Sequence, residues 1–410
     1  MQINSGDTAW MLASAALVLF MTPGLALFYG GMVRSKNVLS TIMQSFFAMG
    51  LVSVLWAVIG YTIAFGSNAG PLGQVTGGLQ YIFLNGVDNA VHPLAPSIPA
   101  SVFSMYQGMF AIITVALITG AVAERMKFSA YVLFASLWAI LVYSPLAHWV
   151  WGGGWLQSIG ALDFAGGTVV HIASASAALA AVLVLGKRRD YKRMEELHPH
   201  NLPFTLIGAG ILWFGWFGFN AGSALAANQL AGSAFLATNL GAASGMLSWL
   251  AMEKWQTGKP TTLGAASGAV AGLVGITPAA GFVGPMAAIV IGLTVGVLCY
   301  LGLRIKDKFG FDDALDVVGV HGVGGTAGAI LTGVFASTAI NASARNGALF
   351  GNPGQILIQA AGVVATIAFS FIMSFVILKL IDMTIGLRVD EDAEDRGLDL
   401  SEHAETAYQL

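Results

Sequence analysis

Two histidines stand within long apolar segments of the sequence, one in each half of the chain. They are His171 and His321. Ionisable residues inside a membrane span are costly and mark candidate sites. Two neutral imidazoles can hydrogen-bond to each other and leave their other ring nitrogens facing a lumen. For either histidine alone, packing against a helix neighbour is an equal alternative. A metal site would need a third ligand, and no Cys or acidic residue falls nearby in mid-span. We therefore expect no metal and no cofactor.

Aromatic side chains and one hydroxyl form a second candidate site. Ring faces hold a small cation that leaves water, at ~0.5–2 kcal/mol for each ring, and a hydroxyl can accept one of its hydrogen bonds. The alternative for most of the ten Trp residues is an interfacial belt, where Trp is enriched. The set consists of Phe110, Trp151, Trp216, Phe217, Phe219 and Ser223.

Asp163 lies where the segment that carries His171 begins. A carboxylate at this position can accept backbone N–H bonds as a helix cap or loop brace. We favour this role over direct proton chemistry. A fixed negative charge near a cation site would also favour a bound cation.

The composition places these residues in a membrane protein. Hydrophobic residues make up 56% of the chain and charged residues 10%, against about 25% charged residues in soluble domains. The net charge of −3, with no basic block among stacking aromatics, argues against a nucleic-acid partner. A crossing helix needs ~20 residues. Predicted spans lie near 8–32, 38–65, 101–123, 128–150, 167–186, 203–223, 233–253, 261–279, 283–303, 315–336 and 354–380.

These segments predict an all-α polytopic membrane protein with eleven transmembrane helices. Residues 1–380 would form the transmembrane domain and 381–410 a cytoplasmic C-terminal tail. Of the 18 Lys and Arg residues, 17 follow odd-numbered helices, including those of the basic loop 187–193; only Arg345 does not. The positive-inside rule then places the N-terminus outside and the C-terminus in the cytoplasm. We expect the inner (plasma) membrane.

A weak internal repeat relates the two histidines. Asp163 precedes His171 by eight residues, and Asp313 precedes His321 by eight. Asp163 precedes helix 5 on the outside of the membrane, whereas Asp313 precedes helix 10 on the inside. The two halves would therefore run in opposite directions, as in an inverted-topology repeat. The halves would be roughly 8–186 and 203–336, with helix 11 (354–380) as an extra. A chance spacing is the alternative.

Several long motifs resemble those of the ammonium transporter family (Amt/Mep/Rh), in its bacterial Amt form. They are the residues at 21–31 (MTPGLALFYGG), 163–171 (DFAGGTVVH), 215–223 (GWFGFNAGS) and 320–323 (VHGV). The resemblance covers essentially the whole chain, including the tail from 386 to 408. It implies an eleven-helix homotrimer with one pore in each subunit.

The resemblance also implies roles for individual residues. An outer ammonium site would consist of Trp151, Ser223 and Phe110, and Phe110 would stack with Phe219 as a gate below it. The twin histidines would be His171 and His321, and Asp163 would support the outer site. We add Trp216, from the aromatic set, and Asp313, from the repeat, as further supporting residues.

A permanent charge at the bilayer centre costs at least ~2.5–3.5 kcal/mol, and ammonium can avoid this cost by losing its proton. We therefore expect a channel that captures ammonium, deprotonates it and conducts ammonia. The proton would return to the outside or travel separately past the histidines, and the sequence leaves both routes open. Alternatives are an ammonium sensor and a gas channel for another small molecule such as carbon dioxide. The spans contain no nucleophile, zinc or paired-carboxylate motif, so an enzyme is not expected.

The tail is strongly acidic. Residues 390–405 contain eight Asp and Glu residues, opposed only by Arg396. A solvated tail is one interpretation of such a charge run. The resemblance instead implies an ordered tail that crosses to a neighbouring subunit and binds the nitrogen-regulatory PII signal protein.

Overall fold

The structure, a computed structural model, is built almost entirely of helices. It describes residues 2–67, 70–189, 191 and 199–408. Three residues of the basic loop 187–193, at 190, 192 and 193, lie outside the described residues. Apolar helices run along the chain as α1 Ser5–Met32, α2 Ser35–Phe65, α3 Ala100–Val122, α4 Phe128–Ile159, α5 Gly167–Leu185, α6 Leu202–Ala224, α7 Gln229–Thr257, α8 Thr262–Ile276, α9 Pro285–Phe309, α10 Val318–Phe335 and α11 Gly354–Thr384.

The all-helical membrane class predicted from the sequence is confirmed. Ten of the helices in the described ranges are long and apolar enough to cross a bilayer. The exception is α8, whose 15 residues span only ~22 Å at 1.5 Å per residue, against a hydrocarbon core of ~30 Å. The count of eleven crossings therefore stays a prediction.

Two short strands, which the sequence analysis did not predict, lie in the connection between α2 and α3. They are β1 Val91–His92 and β2 Ala95–Pro99, and they pair antiparallel. The ring of His92 stacks on Phe103 of α3 at a centroid distance of 4.5 Å. The hairpin therefore covers one end of α3.

Small residues allow α7, α8 and α9 to pack with their backbones in contact. A Cβ atom added to Gly245 of α7 would lie 2.6 Å from the Cα of Gly272 on α8. One added to Gly292 of α9 would lie 3.0 Å from the Cα of Gly241 on α7. In lipid, helices associate largely through such close packing, because lipid tails are as apolar as the helices.

Among the described residues, five helices contain a π-helical turn, in which the hydrogen bonds run one residue further than in an α-helix. These turns are Trp56–Gly60, Ala139–Tyr143, Gly167–Ile172, Phe217–Ala221 and Val318–Gly322. Such turns are often found at functional sites. Both intramembrane histidines lie in one: His171 in the third turn and His321 in the fifth.

The tail packs on loops of its own chain. It begins after Thr384 and contains two short helices, α12 Glu391–Arg396 and α13 Leu398–His403. Asp399 accepts hydrogen bonds from the backbone N–H groups of Leu39 (3.0 Å) and Ser40 (2.8 Å), and so satisfies donors at the start of α2. The tail is thus ordered through the described residues, whereas its crossing to a neighbouring subunit stays a prediction.

A buried charge network joins the loops on the same face. Glu124, after α3, pairs with Arg34 and Arg188, each at 3.0 Å, and Arg188 pairs with Asp312 at 2.8 Å. Burial opposes ionisation of Glu124, but the charges of Arg188 and Arg34 outweigh it and lower its pKa to about 2. The ionised network therefore ties together the loops that follow α1, α3, α5 and α9.

We predict that Glu124→Gln lowers stability and removes a pH dependence. The folded pKa of Glu124 lies below its ordinary value of 4.5, so its stabilisation is complete above pH 4.5 and is lost as the pH falls towards 2. A shift of this size corresponds to on the order of 3 kcal/mol. Thermal unfolding of the detergent-solubilised protein between pH 6 and 3 would measure it. Glu405→Gln, at an exposed tail position, is the control; equal pH slopes for the wild type and E124Q would contradict the prediction.

Candidate functional site

The two histidines meet in the middle of the helix bundle. Their Nδ1 atoms lie 3.2 Å apart, and the ring centroids are separated by 5.2 Å. Both side chains are buried. Since each neutral ring has one N–H, one Nδ1 donates to the other, and this fixes both tautomers. The fold therefore brings together two residues that are 150 positions apart in the sequence.

A narrow cavity, here called the histidine cavity, runs beside the pair. Its volume is about 10 Å³, close to the smallest space that holds one water molecule. The Nε2 atom of His171 is buried and has no hydrogen-bond partner among the described residues. Apart from the histidines and the indole of Trp216, the lining is apolar: Met21, Leu25, Phe28, Ile113, Leu117, Val170, Leu212, Phe219 and Val270.

An aromatic chamber of about 180 Å³ lies on one side of the histidine cavity. Its walls include Phe110, Trp151 and Ser223, together with Phe103 and Gln107. The rings of Phe110 and Trp151 meet edge to face, with centroids 6.0 Å apart. The three residues predicted for a cation site therefore line one chamber.

A stacked ring pair separates the aromatic chamber from the histidine cavity. The centroids of Phe110 and Phe219 lie 4.2 Å apart, with ring planes 22° from parallel. Phe110 faces the chamber, and Phe219 lines the histidine cavity. The predicted gate residues thus lie between the two spaces.

Trp216 and Phe217 point in different directions from the same helix. The ring of Trp216 stacks against His171 at 5.5 Å, and its indole N–H donates to Thr277. The ring of Phe217 stacks on Phe235 at 4.0 Å and lines none of the three spaces described here. Only Trp216 of the two therefore supports the histidines.

Asp163 holds the start of α5. Its carboxylate accepts N–H bonds from Gly166, Gly167 and Thr168 at 2.7–2.8 Å, and also a bond from the Thr168 hydroxyl. Its backbone oxygen accepts the indole N–H of Trp151 at 2.8 Å. This single residue therefore fixes both the turn that leads to His171 and the ring that lines the aromatic chamber.

Asp313 has a different environment from Asp163. Its carboxylate accepts one N–H bond, from Val318 at 2.7 Å, and its other oxygen has no partner among the described residues. Burial and the neighbouring charge of Asp316 raise its pKa to about 6. The two aspartates thus share a position relative to their histidines but not a set of contacts.

A third space, the carboxylate chamber, lies on the other side of the histidine cavity. Its volume is about 150 Å³, and it shares Phe28, Val270 and His321 with the histidine cavity. Glu253 and Asp316 line it, and Asp316 pairs with Lys306 at 2.6 Å. These carboxylates do not stand out in the sequence, because both lie at helix ends among ordinary loop charges.

The three spaces adjoin one another: the Phe110–Phe219 pair lies between the aromatic chamber and the histidine cavity, and the histidine cavity shares lining residues with the carboxylate chamber. Comparisons with known proteins identify the family of the chain. The model of the Ammonium Transporter Family matches residues 9–408. The chain belongs to this family. It is a multi-pass membrane transporter of ammonium and not an enzyme.

Transporters that are similar to this chain occur in organisms of different kinds. An ammonium transporter of Bacillus subtilis (strain 168) is 52% identical over 99% of both chains. Ammonium transporter Amt1 of Archaeoglobus fulgidus is 46% identical over 99% of this chain and 100% of its own. The crystal structure of Saccharomyces cerevisiae Mep2 superposes with a TM-score of 0.90 at 37% identity, covering 96% of this chain and 89% of Mep2.

We predict that Asp163→Asn destabilises the transporter. An amide nitrogen in place of one carboxylate oxygen would face N–H donors of the α5 turn, and an unsatisfied buried donor costs ~1–3 kcal/mol. Thermal unfolding in detergent should show a lower midpoint, whereas Asp88→Asn, at an exposed loop position, should not. A D163N transporter that keeps its stability yet loses transport would contradict the brace and favour direct proton chemistry.

Proposed function

We propose that the transporter captures ammonium in the aromatic chamber, removes its proton at the stacked Phe110–Phe219 pair and conducts ammonia past the histidines. The observation that carries this proposal is the histidine cavity, which is apolar, about 10 Å³ in volume and closed on one side by the ring pair. A hydrated ion does not fit such a space. A small neutral molecule fits if it crosses in single file.

The aromatic chamber suits capture of the cation. The ring of Trp151 and the edge-to-face ring of Phe110 offer cation–π contact, which strengthens as water is removed. The Ser223 hydroxyl donates to the carbonyl of Phe219 at 2.9 Å, so its own oxygen can accept a hydrogen bond from ammonium. Tyr106 lies 3.2 Å from that oxygen and would fix its position.

Deprotonation is favoured because the ion would next have to enter the apolar histidine cavity. A charge near the bilayer centre costs at least ~2.5–3.5 kcal/mol, whereas ammonia pays no such cost. Potassium has no proton to release, and the lining side chains, apolar apart from the two imidazoles and the Trp216 indole, could not replace its water shell. Ammonia itself would meet the unpartnered Nε2 of His171 as its polar contact.

The route of the proton has two forms. It returns to the chamber side, which gives a gas channel, or it passes separately along the histidine pair, which gives electrogenic transport. The Nδ1–Nδ1 contact of 3.2 Å supplies one link of the second route. The carboxylate chamber, with Glu253 and Asp316, would receive the proton or ammonium after the crossing.

The wider architecture belongs to the same proposal. Eleven crossings would place the aromatic chamber outside and the basic loops inside, in a cell membrane. An inverted repeat is supported by the matching sequence of elements in both halves: a π turn with its histidine, then a helix of 13 residues, Ala173–Leu185 and Val323–Phe335. We further propose a homotrimer with one pore in each subunit.

Transport by purified protein in liposomes tests the mechanism. Replacing Ser223 with Ala, or Trp151 with Leu, should raise the half-saturating ammonium concentration about 2- to 30-fold, from 0.5–2 kcal/mol of lost cation binding. Phe217→Ala, on the same helix but outside the chambers, should leave it unchanged. Ammonium should also compete with methylammonium uptake.

The same liposomes test the histidine pair. Replacing both His171 and His321 with Ala should reduce ammonium-dependent flux or admit potassium, because the cavity becomes wider and loses its fixed polar contact. Currents with ammonium, methylammonium and potassium measure both effects. An undiminished and still selective current would remove the pair from the mechanism.

Two other functions make different predictions in this assay. A sensor would bind ammonium with little flux; a solved sensor Amt protein superposes with a TM-score of 0.89 at 30% identity. A carbon dioxide channel would not respond to ammonium as a competitor. The aromatic chamber favours transport of a species that arrives as a cation.

We propose that the acidic tail also binds a PII-type signal protein. The tail holds two helices against the loops after α1 and α3, next to the basic residues Arg189 and Lys36. Removing residues 388–410 should abolish co-purification of PII. Retained binding by the truncated protein, shown to be folded by its unfolding temperature, would exclude the tail as the docking site.

A further inference from the structure

We propose that a lipid-facing groove beside the pore holds one acyl chain of a membrane phospholipid, with its headgroup on the face that carries the basic loops. The groove has a cavity volume of about 570 Å³, within the range of ligand-binding clefts. It is far larger than any of the three spaces along the pore. The walls are α9 and α11, and the floor is formed by α5 and α10.

The uneven placement of α11 leaves this groove open. Helix α11 packs along α4, α5 and α10, and α9 packs on α7, α8 and α10. The lining side chains from α9 and α11 are Thr294, Leu298 and Ile367. The α4 side of the α5–α10 pair is therefore covered by α11, and the α9 side is left uncovered by the residues that the structure describes.

The groove offers an occupant mainly apolar contact. Three hydroxyl-bearing residues, Ser176, Thr294 and Thr326, belong to its lining. Ser176 and Thr294 donate to carbonyls of their own helices, those of Ile172 (2.7 Å) and Val290 (2.8 Å), so these two present no free donor to a guest. A polar metabolite would lose its hydration there with little compensation, whereas an acyl chain would not.

The depth of the groove in the membrane and the length of the groove both fit an acyl chain. Every lining residue belongs to a membrane-spanning helix, so the solvent at this surface is hydrocarbon. The floor extends along α10 from Val318 to Leu331, which is ~20 Å at 1.5 Å per residue. One leaflet of the hydrocarbon core is ~15 Å thick. A single chain can therefore lie in the groove over its full length.

Three basic residues lie at helix ends beyond the groove lining, on the side where α10 begins. Lys187 follows α5, Lys308 ends α9, and Lys379 lies in the last turns of α11; all three side chains are exposed, as are those of the acidic neighbours Asp307 and Asp382. These are three of the four helices that form the groove, and α10 begins on that face. Basic residues near a bilayer surface attract anionic lipid headgroups.

The groove floor is also the back of the histidine site. Ile172 and Gly322, which follow His171 and His321 directly in the chain, both line it. A Cβ atom added to Gly322 would lie 3.2 Å from that of Ala175, so α5 and α10 touch at this point. A chain seated here would press on the π turns that hold the imidazoles.

Photo-crosslinking tests the proposal directly. The full-length protein is reconstituted in vesicles of phosphatidylethanolamine with a trace of phosphatidylglycerol that carries a diazirine in its acyl chain. Irradiation should label peptides that contain 172–179, 294–298 and 318–331. Ala327→Trp, which fills the groove, should lower this labelling at least five-fold, and Ala361→Trp, on an exposed face of α11 outside the groove, should not.

Other outcomes would overturn the proposal. Labelling spread evenly over all apolar helices, or unchanged in A327W, would exclude a specific chain site. Ala327→Cys in a Cys299→Ala background that forms a disulfide between two chains would assign the groove to a second copy. Equal labelling by a matched phosphatidylcholine probe would exclude the anionic headgroup.

Any effect on transport rests on the proposed function, whereas crosslinking does not. If the acyl chain supports the π turns, A327W should slow ammonium transport in liposomes several-fold more than A361W. Loss of labelling without loss of transport would retain the lipid site and remove its coupling to the pore. Normal labelling with no ammonium transport in the wild type would instead refute the proposed function alone.

Discussion

The cost of placing charge in hydrocarbon governs this molecule at every level. It forces the backbone into helices, because unpaired N–H and C=O groups have no water to bind there. It also keeps nearly all Lys and Arg residues in loops and at helix ends, and two of them, Arg34 and Arg188, form a buried network with Glu124. In the proposed mechanism, the same cost makes the apolar histidine cavity favour a neutral molecule over an ion. Architecture and the proposed selectivity thus have a common physical origin.

The site depends on backbone irregularity as much as on side chains. Each histidine sits in a π turn, so its ring leaves the regular helical face and meets its partner at 3.2 Å. Asp163 fixes one of these turns through several N–H groups and at the same time orients Trp151. The aromatic chamber, the Phe110–Phe219 ring pair and the histidine pair are therefore positioned together. A change at the brace would be expected to affect all of them.

Hydropathy predicted the helical membrane class because lipid imposes long apolar segments directly on the residue types, whereas the orientation predicted from charge parity stays a prediction. The histidines and the ring set were identifiable for the same reason, since polar and aromatic residues in apolar runs stand out. Other features depend on three-dimensional context. Glu253 and Asp316 resemble surface charges in sequence, and Phe217 is indistinguishable from Phe219 until helix rotation is known. The shortness of α8 and the open side of the α5–α10 pair arise from packing, which periodicity does not encode.

The capping of α2 by Asp399 links distant parts of the polypeptide in time as well as in space. During synthesis α2 is made hundreds of residues before Asp399 leaves the ribosome, so the N–H groups of Leu39 and Ser40 lack this acceptor at first. They gain the carboxylate only when the tail has been made. Completion of the cap thus reports that synthesis has passed Asp399, and a chain that terminated earlier would keep the start of α2 without it.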